Sequence, residues 1–419
     1  EGIALPGYAA IACLLLAAVF LAPTLSHLAF GPLPVAGPAW LQIATAQLRG
    51  TARRSTVSIA AVLVSFSLMV AMAIMVYSFR NSLDAWMQRI LPADLYVRAG
   101  SSGLTSFLDE DAQLVIRGID GAARVDFVRF QDVQLPGNGL PLTVIARPIA
   151  EGDAADVLPI RRRDAQPRPE GTVPVWASEA ALDLRGFDVG SVFDLPLGGR
   201  TVRASVRGLW RDYERPGGSV VVPRDVFVRY TGDTRATSAA LWLAPGVEPE
   251  AVATRIRAAL QREGNYEIAV PRDIRRSSLR VFDRTFAVTY LLEAVAVLIG
   301  LCGISASTSS QVLARRGEFG MLRHLGVTRG EIGRMLAVEG AALGTVGVAT
   351  GLVMGGIVSL ILIYVVNRQS FHWTMDVHVP WLLLAVLSGV LVAAAALTSV
   401  VSGRQAMGDD VVRTVKEDW

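Results

Sequence analysis

The chain has 419 residues, a mean hydropathy of +0.42 and a formal net charge of +3, and only 18% of its residues are charged. Soluble globular chains carry about 25% charged residues, so this composition argues against a chain built only from soluble domains. The one lysine, Lys416, follows no glycine-rich turn. This excludes a Walker-type phosphate-binding loop, and we expect any ATP-driven work to be powered by another polypeptide.

Five apolar segments are each long enough to cross a bilayer, which takes about 20 residues. The predicted spans are 8–30, 55–79, 285–314, 335–366 and 380–403. Glu293 and Glu339 are the acids within them, and both lie near predicted span ends, where we expect solvation at the interface. The alternative is a large soluble protein with five buried and almost uncharged core helices.

The first 54 residues are predicted to form a transmembrane linker helix, 1–30, and a cytoplasmic amphipathic segment, 31–54. No basic stretch precedes the first apolar run, so we expect a chain that is processed, truncated or the later part of a longer protein. One helical face of the second segment is apolar, and its members are Trp40, Leu41, Ile43, Ala44 and Leu48. This pattern suits a helix on the inner membrane surface, or equally a basic flank that stops translocation.

Arginine-rich connections predict the orientation of the spans, because cytoplasmic loops carry the excess of Lys and Arg. Three arginines lie between the first two spans, five lie between the third and fourth, and two follow the fifth together with Lys416. This places residue 1 outside and the tail, 404–419, in the cytoplasm. It also makes 367–379 a short external loop between the spans 335–366 and 380–403.

The stretch 80–284 is predicted to be an extracytoplasmic α+β domain. Six alternating runs predict strands at 94–99, 123–130, 142–147, 201–210, 219–223 and 238–244. A helix is expected over 248–264, with Gly264 as its stop, and a second helix is expected to run from Pro271 into the third span. The charged stretch 161–171 is expected to be a solvated loop. In the stretch 209–220, Trp210 and Tyr213 are predicted either to contact a lipid or partner or to pack locally.

The segment 315–334 combines charge with an apolar pattern between two spans. One apolar stripe on a short helix is predicted from residues that recur every three positions, with a further pair four apart: Phe319, Leu322 and Leu325, and Met321 with Leu325. Gly326 stands where a C′ glycine would end this helix, and Thr328 with Glu331 forms a capping box that would start the next. The stripe indicates a helix that docks into a partner's groove or one that rests on the membrane surface.

The span 335–366 carries small residues at four-residue spacing, which lets helix backbones approach closely in lipid. The glycines predicted to pack against other helices are Gly340, Gly344, Gly347, Gly351 and Gly355. The pattern predicts tight helix packing without naming the partner helix.

A family resemblance rests on the stretch "RRGEFGMLRHLGVTRGEIGRMLAVEGAALGTVGVATGLVMG". It is similar to the FtsX/MacB-type permease domain of ABC transporters, which has an arginine-rich start, Leu-Arg-x-Leu-Gly, a basic turn and a Glu ahead of glycines. The tail "GRQAMGDDVVRTVKED" resembles the family's ending, since Arg404 and Ala406 match. Asp409-Asp410 replaces the family's Asp-Pro, and Val327 replaces its usual Ala. "PADLYVRAG" resembles the start of the family's external domain.

This resemblance implies that 315–326 is a coupling helix moved by a separate ATPase subunit. The residues that it assigns to ATPase coupling are Arg315, Arg316, Glu318, Phe319, Leu322, Arg323, Leu325 and Gly326. It implies that a dimer of ABC ATPase subunits binds ATP and Mg, and that this chain holds no cofactor. The extra first span resembles the linker spans of ten-span members, so an N-terminal permease half or a second permease copy is an expected partner.

The predicted fold class is an α-helical membrane protein with five transmembrane helices and one large extracytoplasmic α+β domain. The resemblance implies a permease of the bacterial cytoplasmic (inner) membrane that extrudes or extracts a hydrophobic substrate, such as a lipid or lipoprotein, by mechanotransmission. Membrane lipids are expected partners and nucleic acid is not. The alternative is a signalling subunit that activates an external hydrolase or sensor. A membrane enzyme is disfavoured, because the sequence has no nucleophile motif and no metal-ligand spacing among its four histidines and two cysteines.

Overall fold

The computed structural model describes residues 4–32, 34, 37–50, 52–100, 106–136, 140–260 and 266–406. The chain divides into two compact units. Unit 1 comprises Glu1–Ser78, Thr285–Val366 and Val377–Trp419, and unit 2 comprises Phe79–Arg284 and Asn367–Asp376.

Unit 1 is built from helices. Those that contribute to it are α1 (Leu5–Phe30), α2 (Ala39–Gly50), α3 (Ala52–Ile90), α9 (Pro271–Ala314), α10 (Arg316–His324), α11 (Arg329–Ile361) and α13 (Trp381–Ala406). A π-helical turn, Leu362–Val366, joins α11 to α12 (Asn367–Phe371). Within the described residues, five helices are long and apolar enough to cross a membrane: α1, α3, α9, the run from α11 to α12, and α13.

Two of these helices, α3 and α9, are longer than the apolar segments that predicted them. They have 39 and 44 residues and therefore extend for about 58 and 66 Å, roughly twice the hydrocarbon thickness of a bilayer. The predicted helix that begins at Pro271 and continues into the third apolar segment is confirmed. Proline suits this first position because its missing N–H would have no partner within the helix.

The apolar face of α2 packs against other helices of unit 1. Ala44 and Leu48 are 0% and 3% exposed. Leu48 lies in a cluster with Phe30 and Ile59, and Ala44 lies in another with Met335. The chain itself therefore covers the part of this face that the sequence analysis placed against the membrane surface.

Unit 2 contains a mixed ten-stranded sheet. Its strands are β1 (Leu95–Ala99), β2 (Ala122–Val133), β3 (Leu142–Arg147), β4 (Ile160–Arg163), β5 (Val173–Ser178), β6 (Val192–Leu197), β7 (Arg200–Trp210), β8 (Ser219–Pro223), β9 (Ser238–Leu243) and β10 (Tyr266–Ala269). The order is β10-β1-β9-β2-β3-β8-β5-β7-β4, and β6 pairs with β7. The pairs β3–β8 and β5–β7 are parallel, and the others are antiparallel.

Unit 2 also contains α12, and within the described residues five further helices lie between its strands in the chain. They are α4 (Glu110–Arg117), α5 (Ala154–Val157), α6 (Glu179–Arg185), α7 (Arg224–Thr231) and α8 (Pro249–Leu260). One apolar core gathers Val144, Val175, Val220 and Phe227, and a second surrounds Leu95. The mixed sheet with helices agrees with the predicted α+β domain.

All six predicted strand runs fall on strands, whereas β4, β5, β6 and β10 were missed. Residues 161–163 belong to β4, so the prediction that the whole stretch 161–171 is a loop is wrong. The predicted helix over 248–264 appears as α8, and its expected stop at Gly264 lies outside the described residues.

Two aromatic residues, one at the end of β7 and one just after it, pack locally within unit 2. Trp210 is 1% exposed, and the Tyr213 ring centroid lies 4.6 Å from that of Trp373. The Tyr213 hydroxyl donates to the Thr374 carbonyl oxygen at 3.1 Å, and burial raises the pKa of Tyr213 to about 12. Of the two predicted roles for this stretch, local packing accounts for these side chains.

Candidate coupling site

The short helix α10 ends in a Schellman motif. Gly326 has φ +92°, a conformation that favours glycine, and its N–H donates to the Arg323 carbonyl at 3.1 Å. The next N–H, of Val327, donates to the Leu322 carbonyl at 3.0 Å. These two bonds satisfy carbonyls that the helix leaves without partners at its end. The predicted stop at Gly326 is confirmed.

The following helix, α11, begins with the predicted capping box. The Thr328 hydroxyl accepts from the Glu331 N–H at 3.2 Å, and a Glu331 carboxylate oxygen accepts from the Thr328 N–H at 2.8 Å. Such caps stabilise a helix by roughly 1 kcal/mol. The Schellman motif ends α10 and the capping box begins α11, so local hydrogen bonds set both helix ends at this turn.

One face of α10 packs into unit 1. Phe319 is 2% exposed and belongs to a cluster with Ala44 of α2, Val312 of α9 and Ile332 of α11. Leu322 is partly buried against the same cluster. These residues therefore hold α10 against its own chain, and the assignment of Phe319 and Leu322 to ATPase coupling stays a prediction.

Away from this cluster, α10 exposes two apolar side chains. Met321 and Leu325 are 65% and 81% exposed, and they stand four residues apart, one helical turn. Glu318 lies beside them, with 55% of its side chain exposed. The three residues of the predicted stripe therefore do not share one face. Phe319 and Leu322 face inward, whereas Leu325 lies with Met321 on the outward face.

An ion pair connects the start of α10 to α11. Arg315 Nη1 donates to Glu339 Oε2 at 2.9 Å, and the two side chains are 13% and 12% exposed. Arg315 Nε also donates to Glu318 Oε2 at 3.1 Å, and its guanidinium lies 5.2 Å from the Phe319 ring centroid. Glu339 is therefore buried and paired, which corrects the expectation of interfacial solvation. The Arg315 guanidinium points toward Glu339, and its assignment to ATPase coupling stays a prediction.

The five predicted glycines of α11 all lie at helix contacts. Gly340 and Gly344 face Ala395 of α13, while Gly347, Gly351 and Gly355 face α3. A Cβ added at Gly355 would stand 2.6 Å from the Ser67 carbonyl oxygen, closer than packed atoms approach. Small residues are required here because the backbones of α11 and α3 lie this close.

Comparison with known families shows what the stretch that carries this site is similar to. Residues 290–411 match the family described as the FtsX-like permease C-terminal domain. This stretch is similar to an FtsX-like permease domain and is called the FtsX-like domain below. The match includes α10, the capping box, the Arg315–Glu339 pair and all five glycines, and it confirms the family resemblance found in the sequence.

A relative and two solved structures extend the comparison. An uncharacterised ABC transporter permease protein of Mycobacterium tuberculosis is 28% identical over 355 residues, which cover 82% of this chain and 41% of the relative. The chain thus spans about two-fifths of the length of that protein. The periplasmic region of MacB from Actinobacillus actinomycetemcomitans aligns with a TM-score of 0.32 and 12% identity, over 46% of this chain and 94% of that one. The extracellular domain of the transporter YknZ from Gram-positive bacteria aligns with a TM-score of 0.29 and 14% identity, over 42% and 98%.

Within the FtsX-like domain, the predicted coupling residues separate into three groups. Arg315, Phe319 and Leu322 face the chain itself, while Glu318, Arg323, Leu325 and Gly326 are exposed. The side chain of Arg316 lies outside the described part of the chain. Met321 was not among the predicted coupling residues, although its four-residue spacing to Leu325 was visible in the sequence.

Proposed function

We propose that this chain belongs to a permease subunit of an ABC-type exporter. A separate ATPase dimer, which binds ATP and Mg, docks on α10 and drives movement through the spans. The substrate is hydrophobic, a lipid, a lipoprotein or a similar molecule. The subunit works beside an N-terminal permease half or a second permease copy in the bacterial cytoplasmic (inner) membrane.

The observation that carries this proposal is the division of α10 into two faces. Phe319 and the Arg315–Glu339 pair anchor the inner face, so the helix cannot be displaced without disturbing α2, α9 and α11. The outer face still exposes Met321 and Leu325. An anchored helix that presents apolar residues is suited to receive a push from a partner and to pass it to the helices behind it.

Two further features support transmission across a membrane. The glycine contacts of α11 with α3 and α13 leave little space for independent sliding. Helices α3 and α9 each continue without a break from residues of unit 1 into residues of unit 2. The five long apolar helices support membrane insertion, and the arginine-rich connections support placing α10 in the cytoplasm.

Co-purification with an ABC-type ATPase, which we expect to be encoded in the same gene neighbourhood, tests the docking assignment. The variant is the pair Met321→Asp and Leu325→Asp, because both side chains are open and their loss leaves the buried cluster intact. We expect the ATPase to be lost from the purified complex, since the two carboxylates would be buried without partners in the docked state.

The matched control is the pair Leu114→Asp and Leu184→Asp. These leucines are also exposed, at 60% and 42%, but they belong to unit 2, on the other predicted side of the membrane. The control should retain the ATPase. Equal retention by the α10 variant and the control would show that α10 is not the docking helix.

A further inference from the structure

A basic groove of about 450 Å³ lies in unit 2, between the last turns of α3 and the first turns of α9. Five arginines line it: Arg80, Arg272, Arg275, Arg276 and Arg280. Leu279 and Asp283 complete the wall. Nothing in the coupling site or the sheet uses this groove.

Two of the five arginines are held by acids. Arg80 Nε lies 3.1 Å from Asp283 Oδ1, and Arg275 Nη2 lies 2.9 Å from Asp84 Oδ1. These pairs join α3 to α9 and fix the walls of the groove. The groove and its ion pairs therefore contain five arginines and two aspartates, so the net charge beside the cavity is positive.

The other three arginines have no such partner. Arg272, Arg276 and Arg280 are exposed, and no carboxylate of the described residues lies within 4 Å of any of them. They follow one another at four-residue spacing, so they share one face of α9 at a rise of about 6 Å per step. Like charges at this spacing destabilise a helix, so stability of the helix does not explain the row.

The position of the row along α9 indicates the kind of anion that it meets. In the proposed membrane arrangement the span begins at residue 285, so Arg280 stands about 6 to 8 Å beyond the hydrocarbon and Arg276 about 6 Å farther. Headgroup layers extend roughly 5 to 8 Å beyond the hydrocarbon on each side. The end of the groove nearest the spans, at Arg280 and Arg80, is therefore at the depth of lipid phosphates.

We propose that this groove binds the phosphate of an anionic lipid headgroup in the outer leaflet. Guanidinium groups bind phosphate oxygens through paired hydrogen bonds, and the row of arginines offers successive positions for a headgroup that leaves the bilayer plane. This inference rests on the membrane arrangement of the proposed function and names the class of lipid headgroup that meets unit 2.

The test uses the full chain in nanodiscs of phosphatidylcholine, with and without phosphatidylglycerol. Native mass spectrometry counts the phosphatidylglycerol that stays bound after the nanodisc is stripped. We compare the wild type with the triple variant Arg272→Gln, Arg276→Gln and Arg280→Gln, and with Arg276→Gln alone in case the triple variant folds poorly. We expect the triple variant to lose the preference for phosphatidylglycerol by about tenfold or more, because each basic residue near an anionic surface adds to the attraction.

The control removes the same charge elsewhere in unit 2, through Arg200→Gln, Arg203→Gln and Arg257→Gln, three exposed arginines on β7 and α8. It should bind phosphatidylglycerol like the wild type, and equal losses in both variants, or in neither, would overturn the proposal. The contrary outcome is that, in phosphatidylcholine nanodiscs, inorganic phosphate or glycerol phosphate binds tightly through the same arginines. That result would overturn the proposal that the bound phosphate belongs to a lipid headgroup. The groove variant should still co-purify with the ATPase, so failure here is distinguishable from failure of the docking assignment.

Discussion

Removal of Arg315 should destabilise the FtsX-like domain far more than removal of both partners of its buried pair. Arg315 and Glu339 are 13% and 12% exposed, and a nitrogen and an oxygen lie 2.9 Å apart. With charge centres about 4 Å apart and an effective dielectric constant of about 20, their attraction is about 4 kcal/mol. Most of this offsets the free energy of taking both charges out of water, so the net contribution of the pair is small.

This balance gives two different expectations for single and double changes. Arg315→Met leaves the Glu339 carboxylate buried without its partner and should cost about 3–5 kcal/mol of unfolding free energy. The double variant Arg315→Met with Glu339→Leu removes both charges and should lie within about 1 kcal/mol of the wild type. Glu318→Gln serves as a control, because 55% of that side chain is exposed and its pairing with Arg315 should be worth less than about 1 kcal/mol.

Denaturant unfolding of the full chain in lipid micelles, followed by tryptophan fluorescence, measures these differences as a double-mutant cycle. A loss below about 1 kcal/mol for Arg315→Met would refute the reasoning, because the pair would then not be desolvated. A double variant as unstable as the single one would refute it as well, since packing rather than charge would then set the cost.

Three further predictions concern a glycine at a helix contact, a buried aromatic ring and an ion-paired aspartate. Gly355→Ala should lower the unfolding free energy by about 1–3 kcal/mol, because the added Cβ would lie 2.6 Å from the Ser67 carbonyl oxygen. Gly356→Ala is the matched control, since a Cβ there would meet nothing within 4 Å. In the same unfolding assay it should be neutral or stabilise the protein by up to about 1 kcal/mol. Phe319→Ala should lower the unfolding free energy by about 3–5 kcal/mol, and a value below about 1 kcal/mol would contradict its place in the cluster. Burial raises the pKa of Asp233, but hydrogen bonds from two arginines outweigh burial and hold the pKa below its ordinary value. The stability that the ionised Asp233 carboxylate adds to the folded state is therefore complete above about pH 4 and is lost as the pH falls through the lower pKa of the folded state. In thermal unfolding between pH 3 and 7, the melting temperature of Asp233→Asn should therefore fall less steeply with acid than that of the wild type.

Local signals in the sequence predicted local structure well. The stop at Gly326 and the capping box of Thr328 and Glu331 each involve residues within one turn of the chain, so their spacing alone specifies the hydrogen bonds. The helix from Pro271 was readable for the same reason, since a proline start leads into an uninterrupted helical pattern.

The direction of the α10 side chains was not readable in this way. Three-residue spacing advances about 300° per step, so Phe319 and Leu325 lie about 120° apart around the helix and need not share a face. Which of them is buried depends on α2 and α11, which are distant in the chain. Burial of Glu339 likewise depends on Arg315, 24 residues away, and no periodicity within α11 reports it.

Two of the four strands of unit 2 that escaped prediction, β4 and β5, do not alternate between buried and open positions. β5 is buried at every position, and β4 consists of one isoleucine and three arginines. Strands of this kind are defined by the neighbours on both sides, and a pattern with a period of two detects only strands with one open face.

The central claim is that the outward face of α10 contacts the ATPase, and site-specific photo-crosslinking tests it most directly. A photoreactive amino acid is placed at Leu325, which is 81% exposed, at Met321, or at Leu114 in unit 2 as the reference position. The account predicts adducts with the ATPase from Leu325 and Met321 and none from Leu114. The account would be contradicted if neither α10 position gave an adduct while the ATPase co-purified with the chain.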